Sequence, residues 1–158
     1  MTIEEKIKIG ENRYLEFKEG LPSSQKIAKT VIAFANTAGG DILIGVNDHR
    51  EIVGVDDDQL LDIPDKISDM IYSLCYPTII PDIFIENIMG RNIIVIKIFP
   101  GSLTPYHLKS KGKSEGTYIR IGAENKKADR EFLLDLERKR KNSEKRLIEK
   151  LMNNIFIT

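Results

Sequence analysis

Cysteine occurs once, at Cys75, and histidine twice, at His49 and His107. A lone cysteine excludes an intrachain disulfide and leaves a Cys-based zinc site without its ligands. Neither histidine falls in a metal-ligand spacing, and no Ser-His-Asp or Cys-His arrangement is supported; Cys75 reads as a core residue. No apolar run approaches the roughly 20 residues that cross a bilayer. The opening stretch, residues 1–13, is charged and has no apolar signal-peptide core. The expected compartment is therefore the cytoplasm, with no membrane partner. There is no internal repeat and no low-complexity segment. With 158 residues the chain suits one domain, or one domain with a short tail.

Net charge is missing as well, since 24 basic residues balance 24 acidic ones. Alone, that argues mildly against a polyanionic partner. The balance hides a segregation. Residues 51–69 carry seven carboxylates against Lys66 alone. Residues 107–127 carry Lys109, Lys111, Lys113, Arg120, Lys126 and Lys127 against Glu115 and Glu124. Residues 138–146 carry six basic residues against Glu144. A neutral chain with such segregation can present a basic face; solvated loops and a solvated helix are the plainer reading.

Residues 13–18 alternate as a strand, with Tyr14, Glu16 and Lys18 on one face and Leu15 and Phe17 on the other. Leu21-Pro22-Ser23-Ser24 supplies a turn and an N-cap for a helix running to about Asn36, buried through Ile27, Val31 and Phe34. Asn36 to Gly40 end it. These glycines form no phosphate loop: Gly-x4-Gly-Lys-Ser/Thr is absent, and they close a helix instead of opening one. A strand at 41–46, a turn at 47–50 and a short return strand at 52–55 follow. A helix is expected over 58–75, kinked or restarted at Pro64. Strands at 82–88 and 92–99 form a hairpin through Met89-Gly90-Arg91. A polar loop over 100–116, a strand at 117–121 and a helix capped by Asp129, with Phe132, Leu133 and Leu136 inward, complete the pattern. Hairpins mixed with helices predict an α+β fold with a mixed β-sheet and about three helices.

Four segments in this order carry a resemblance. They are Glu11-x4-Glu16-Phe17-Lys18, Ile32 to Gly40, Leu43-Ile44-Gly45-Val46-x-Asp48 with Ile52-Val53-Gly54, and Gly116 to Gly122 followed by Ala128 and a helix. Together they resemble the Schlafen AlbA-2 domain family over roughly residues 8–138, leaving 139–158 as a charged C-terminal helical extension. The resemblance implies a cytoplasmic nucleic-acid (DNA) binding domain of a bacterial transcriptional regulator. It also implies an alternative. Related vertebrate Schlafen cores cleave tRNA and other structured RNA with three carboxylates and a divalent metal, and the matching positions here are Glu11, Glu16 and Asp48. The chain departs from those proteins in having one lobe and no zinc-binding Cys/His set. The single lobe suggests a homodimer in which a second copy supplies the other wall of a groove.

In that endoribonuclease reading Glu11, Glu16 and Asp48 hold Mg or Mn through carboxylate oxygens, and Lys18 neutralises a phosphate beside the metal. The spacing sets a condition: residues five apart point to opposite faces of an ideal strand, so Glu11 joins Glu16 only if the strand bends or starts later. Otherwise the two are strand-edge charges, or one pairs with Lys18 or Arg13. Asp48 reads equally as a turn residue. For nucleic acid, Lys109, Lys111, Lys113, Tyr118, Arg120 and Lys126 mix aromatic surface with positive charge, which suits a phosphate backbone and unpaired bases. A solvated loop is the alternative.

Overall fold

The computed structural model describes residues 1–156. The last two positions of the expected extension 139–158 lie outside the described residues. Helix α1 (Ile3–Ile9) leads into strand β1 (Leu15–Lys18), helix α2 (Ser24–Asn36) and strand β2 (Gly40–Ile44). A 3-10 turn at Asp57–Gln59 precedes α3 (Asp62–Leu74), which runs straight into β3 (Cys75–Tyr76). Strands β4 (Asp82–Ile88) and β5 (Arg91–Ile98) form a hairpin. After it come β6 (His107–Leu108), α4 (Gly112–Gly116), the β7 (Tyr118–Ile121) and β8 (Glu124–Lys127) hairpin, and α5 (Arg130–Phe156).

The main sheet has the order β1-β2-β5-β4. Strands β1 and β2 run parallel, joined by the α2 crossover, and the other pairs are antiparallel. The expected mixed sheet in an α+β fold is thus present. The period-2 rule splits the apolar residues of this sheet between two cores. Ile42, Ile44, Ile94, Ile96 and Ile98 face α2 and α3. Leu15, Phe17, Leu43, Ile93 and Val95 face Ile7 of α1. A third, small cluster joins Ile119 and Ala128 to Leu136 of α5.

Local chemistry sets the element ends. The Ser23 hydroxyl accepts from Lys26 N at 3.3 Å and starts α2. Asp129 Oδ1 accepts from Phe132 N at 2.9 Å and starts α5. Pro64 sits in the first turn of α3, where its missing N–H would find no partner in any case, so the chain restarts there and does not kink. Gly39 has φ 76°, and a Cβ on it would stand 2.6 Å from the Ile98 carbonyl. That position turns α2 back into β2 and needs glycine.

Several elements depart from the pattern read in the sequence. Helix α1 was not expected; a Thr2–Glu5 capping box starts it, and Ile7 is its only buried residue, which is too little periodicity to read. Residues 52–55 form a single bridge, Val46 to Ile52, and no return strand. The loop at 100–116 contains β6 and α4, both short and fixed by tertiary pairing. Helix α5 is continuous from Arg130 to Phe156, across positions 138 and 139. No helix among the described residues is long and apolar enough to cross a membrane.

Asn36 locks the last turn of α2 to two other segments. Its Nδ2 donates to the Tyr106 and Tyr118 carbonyls, both at 2.9 Å, and its Oδ1 accepts from Tyr106 N at 2.7 Å. Asn36→Ala leaves these buried groups unpaired, and should cost roughly 3 kcal/mol in urea unfolding followed by circular dichroism.

Candidate nucleic-acid interface

Strand β1 is an edge strand. Its Tyr14 and Lys18 carbonyls accept from Asp41 and Gly45 on the β2 side, at 2.9 and 2.7 Å. The alternate Leu15 carbonyl therefore faces the open edge, where it accepts from Asn12 N at 3.1 Å and has room for a second donor. Arg120 of β7 supplies it. Its Nη2 donates to Leu15 O at 2.9 Å and to Asn12 O at 3.0 Å. Its Nη1 donates to Asn125 Oδ1 at 2.8 Å and lies 2.7 Å from Glu16 Oε2. The last contact is ionic, because no donor is aligned with that buried oxygen. The guanidinium stands 5.0 Å from the centroid of the Phe34 ring, and its side chain is wholly buried. Asn125 Nδ2 passes the network on to Thr30 Oγ1 of α2 at 2.8 Å.

Glu11 meets the condition that its spacing set. The strand begins only at Leu15, after Gly10 at φ 94° and an Asn12–Leu15 bridge. This turn carries Glu11 back beside Glu16. Burial raises the Glu11 pKa most, and the Glu16 charge raises it further; the Phe17 N–H, Lys18 and Arg120 act in the opposite sense without cancelling the rise. Lys18 Nζ lies 3.6 Å from Glu16 Oε1. Glu11, Glu16, Lys18 and Arg120 are thus one electrostatic cluster.

Asp48 stands apart from this cluster. It is exposed, in a turn built by Asn47, whose Oδ1 accepts from His49 N and Glu51 N, both at 2.9 Å. Among the described residues no three His, Cys, Asp or Glu side chains gather in a way that could hold a metal ion. The donor set Glu11, Glu16 and Asp48 therefore does not fit Mg or Mn as arranged here.

Beside Glu16 opens a cleft of about 350 Å³ between β1, α2 and the β7–β8 turn. Lys18, Lys26 and Lys29 line it, with Arg120 beneath and Glu124 at the far side. Lys29 Nζ stands 5.2 Å from the Tyr118 ring centroid. Lys26 and Lys29 were not read as site residues. Their signal was present, as basic residues three apart on the face of α2 opposite the buried stripe, but only the β7–β8 hairpin turns that face into a cleft wall.

The other expected contacts scatter around this cleft. Tyr118 is half-buried, packed under Lys29. Arg120 is interior, committed to the β1 edge, and presents no free guanidinium. Lys126 is exposed and pairs with Glu124 at 3.5 Å. Lys109, Lys111 and Lys113 are exposed. Lys109 Nζ donates to the Tyr72 carbonyl at 3.1 Å, and Lys113 lies beside Arg140 and Lys141 of α5. Cys75 is buried, and that burial pushes its thiol up to about 12, so it is no nucleophile.

The family described as Schlafen, AlbA_2 matches residues 11–129. No curated protein matches the chain. Among solved structures, the DIP2311 protein of Corynebacterium diphtheriae superposes with TM-score 0.56 at 21% identity, over 80% of this chain and 24% of that one. The chain thus spans about a quarter of that relative's length. The N-terminal domain of a RecG-related protein of Nitrosomonas europaea superposes with TM-score 0.56 at 23% identity, over 79% of this chain and 90% of that one. At these identities the likeness establishes the fold.

Two outcomes follow from the cluster. Arg120→Ala takes the closest cation from the buried Glu16 and removes one of the two donors on the Leu15 carbonyl, and should destabilise the fold by about 3–5 kcal/mol in denaturant titration. Glu11 has a raised folded-state pKa, so its contribution is full below the ordinary glutamate range and is lost as pH rises through the folded value. Glu11→Gln should therefore gain stability over wild type as the pH climbs from that range to neutrality, read as a melting temperature measured across pH.

Proposed function

The chain belongs to the Schlafen, AlbA_2 family, and from that membership we propose that it is a nucleic-acid-binding module. The observation that carries the reading is the lysine-lined cleft. Lys18, Lys26 and Lys29 converge from two elements on one opening, while Arg120 neutralises the carboxylate at its base. Three ammonium groups in a shallow cleft suit consecutive phosphates of a backbone. The module is a DNA-binding domain of a cytoplasmic transcriptional regulator, working as a homodimer whose second copy closes the groove. Support for that finer assignment is the family resemblance; the neighbour from Nitrosomonas europaea, described as related to the ATP-dependent DNA helicase RecG, agrees with a nucleic-acid partner.

Binding of a labelled DNA or RNA duplex should weaken steeply with salt. Each of Lys18→Ala, Lys26→Ala and Lys29→Ala should lower the slope of log affinity against log salt by about 0.7–0.9, read by fluorescence anisotropy. Retention of neither nucleic acid at low salt would sink the proposal. Glu11 beside Glu16 favours a second reading, cleavage of tRNA or other structured RNA by a metal-dependent endoribonuclease, which requires Asp48 to leave its exposed turn and join that pair when metal and RNA bind. Mn²⁺- or Mg²⁺-dependent cleavage that vanishes in both Glu16→Gln and Asp48→Asn would support it. Equal cutting by those variants and wild type would identify a contaminant.

A further inference from the structure

Two tyrosines on the outside of the fold have no packing role. Tyr72 is 69% exposed near the end of α3, whose buried stripe is Ile63, Ile67 and Ile71 on the other side. Tyr76 is 55% exposed in β3, four residues further on. Both rings are held in place. Lys109 reaches over Tyr72, with Nζ 5.4 Å from the ring centroid and hydrogen-bonded to the Tyr72 carbonyl. Lys109 is itself fixed, because its backbone N–H donates to Leu74 O at 2.8 Å. Tyr76 leans on the buried His107 ring at 5.7 Å with a 55° tilt, across the β3–β6 pair. Each ring is thus braced on one side and open on another. The nearest acid on the helix is Asp69, one turn before Tyr72, and Lys109 with the following Lys111 outweighs it.

A series of contacts connects this pair with the lysine cleft. Lys29 covers Tyr118, Tyr118 pairs across the hairpin with Lys127, and Lys127 holds Glu115. Glu115 in turn feels the Lys111 charge. Lysines therefore step from the cleft to Lys109 at the rim of Tyr72.

We propose that Tyr72 and Tyr76 form a stacking platform for unpaired nucleobases, so that the module takes nucleic acid with a single-stranded stretch. The proposal rests on the nucleic-acid reading and adds to it the class of strand. Tyrosine faces stack on any base, and ammonium groups beside them hold the flanking phosphates. The Lys109 contact on Tyr72 and the His107 contact on Tyr76 restrict the two rings, so little side-chain entropy is lost on binding.

The test uses the full chain with a single strand carrying 2-aminopurine and with a duplex of the same length. Wild type should change the fluorescence of the single strand on binding. Tyr72→Ala and Tyr76→Ala should each weaken single-strand affinity about ten-fold and leave duplex affinity within two-fold. Tyr72→Phe and Tyr76→Phe should bind as wild type, since stacking needs the ring and not the hydroxyl. Both residues are exposed, so the variants should keep the wild-type circular dichroism. If wild type binds nucleic acid while the alanine variants bind single strands equally well, the platform is refuted and the broader reading stands; the tyrosines then face a protein partner. Loss of binding in the phenylalanine variants refutes stacking as the cause. If wild type binds neither probe, the broader reading falls first.

Discussion

The Arg120 guanidinium is the constraint on which the site depends. Strand β1 is open along one side, and an open edge next to a buried carboxylate would be unstable alone. Arg120 answers both demands with one planar group, since its fork reaches Leu15 O, Asn12 O and Asn125 while Nη1 touches Glu16. Lysine could not do this, because a single ammonium has no fixed fork. The pair also couples distant parts of the chain: residues 12–16 are joined to 120 and 125, and through Asn125 to Thr30 of α2.

From that coupling comes the cleft. The β7–β8 hairpin is a separate two-stranded sheet, and without tertiary support such a hairpin is marginal. Arg120 and Asn36 pin it against α2, so the polar face of α2 becomes a wall and Lys26 and Lys29 turn toward Lys18. Arg120 also neutralises Glu16 from below, while burial and the Glu16 charge raise the Glu11 pKa against the opposing Arg120 and Lys18 charges. A neutral chain thereby gains a locally basic opening, while a run of seven carboxylates is set apart in sequence at residues 51–69.

Much of the scaffold was legible. The buried stripe of α2, the β4–β5 hairpin, the Asp129 cap and the strand around Glu16 follow from periodicity and turn chemistry, which are local. The elements that were not legible are short or fixed by contacts far away in sequence. Helix α1 has one fully buried residue, and β6 and β8 exist because β3 and β7 pair with them. The same limit governed the site. A strand arginine in a basic segment reads as a surface contact, and nothing local announces a buried carboxylate more than 100 residues earlier. Tyr72 and Tyr76 carry no local signal, because α3 reads as an ordinary amphipathic helix.

By itself the sequence determined the family, the α+β class and the closeness in chain order of Glu11, Glu16 and Lys18, because these rest on residue types at fixed spacings. Tertiary structure alone decided which charges meet. It folded Glu11 back onto Glu16, left Asp48 on an exposed turn, buried Arg120 and brought Lys26 and Lys29 to the opening. The physical reason is that ion pairs and edge carbonyls are satisfied through space, and the partner that satisfies them can come from anywhere along the chain.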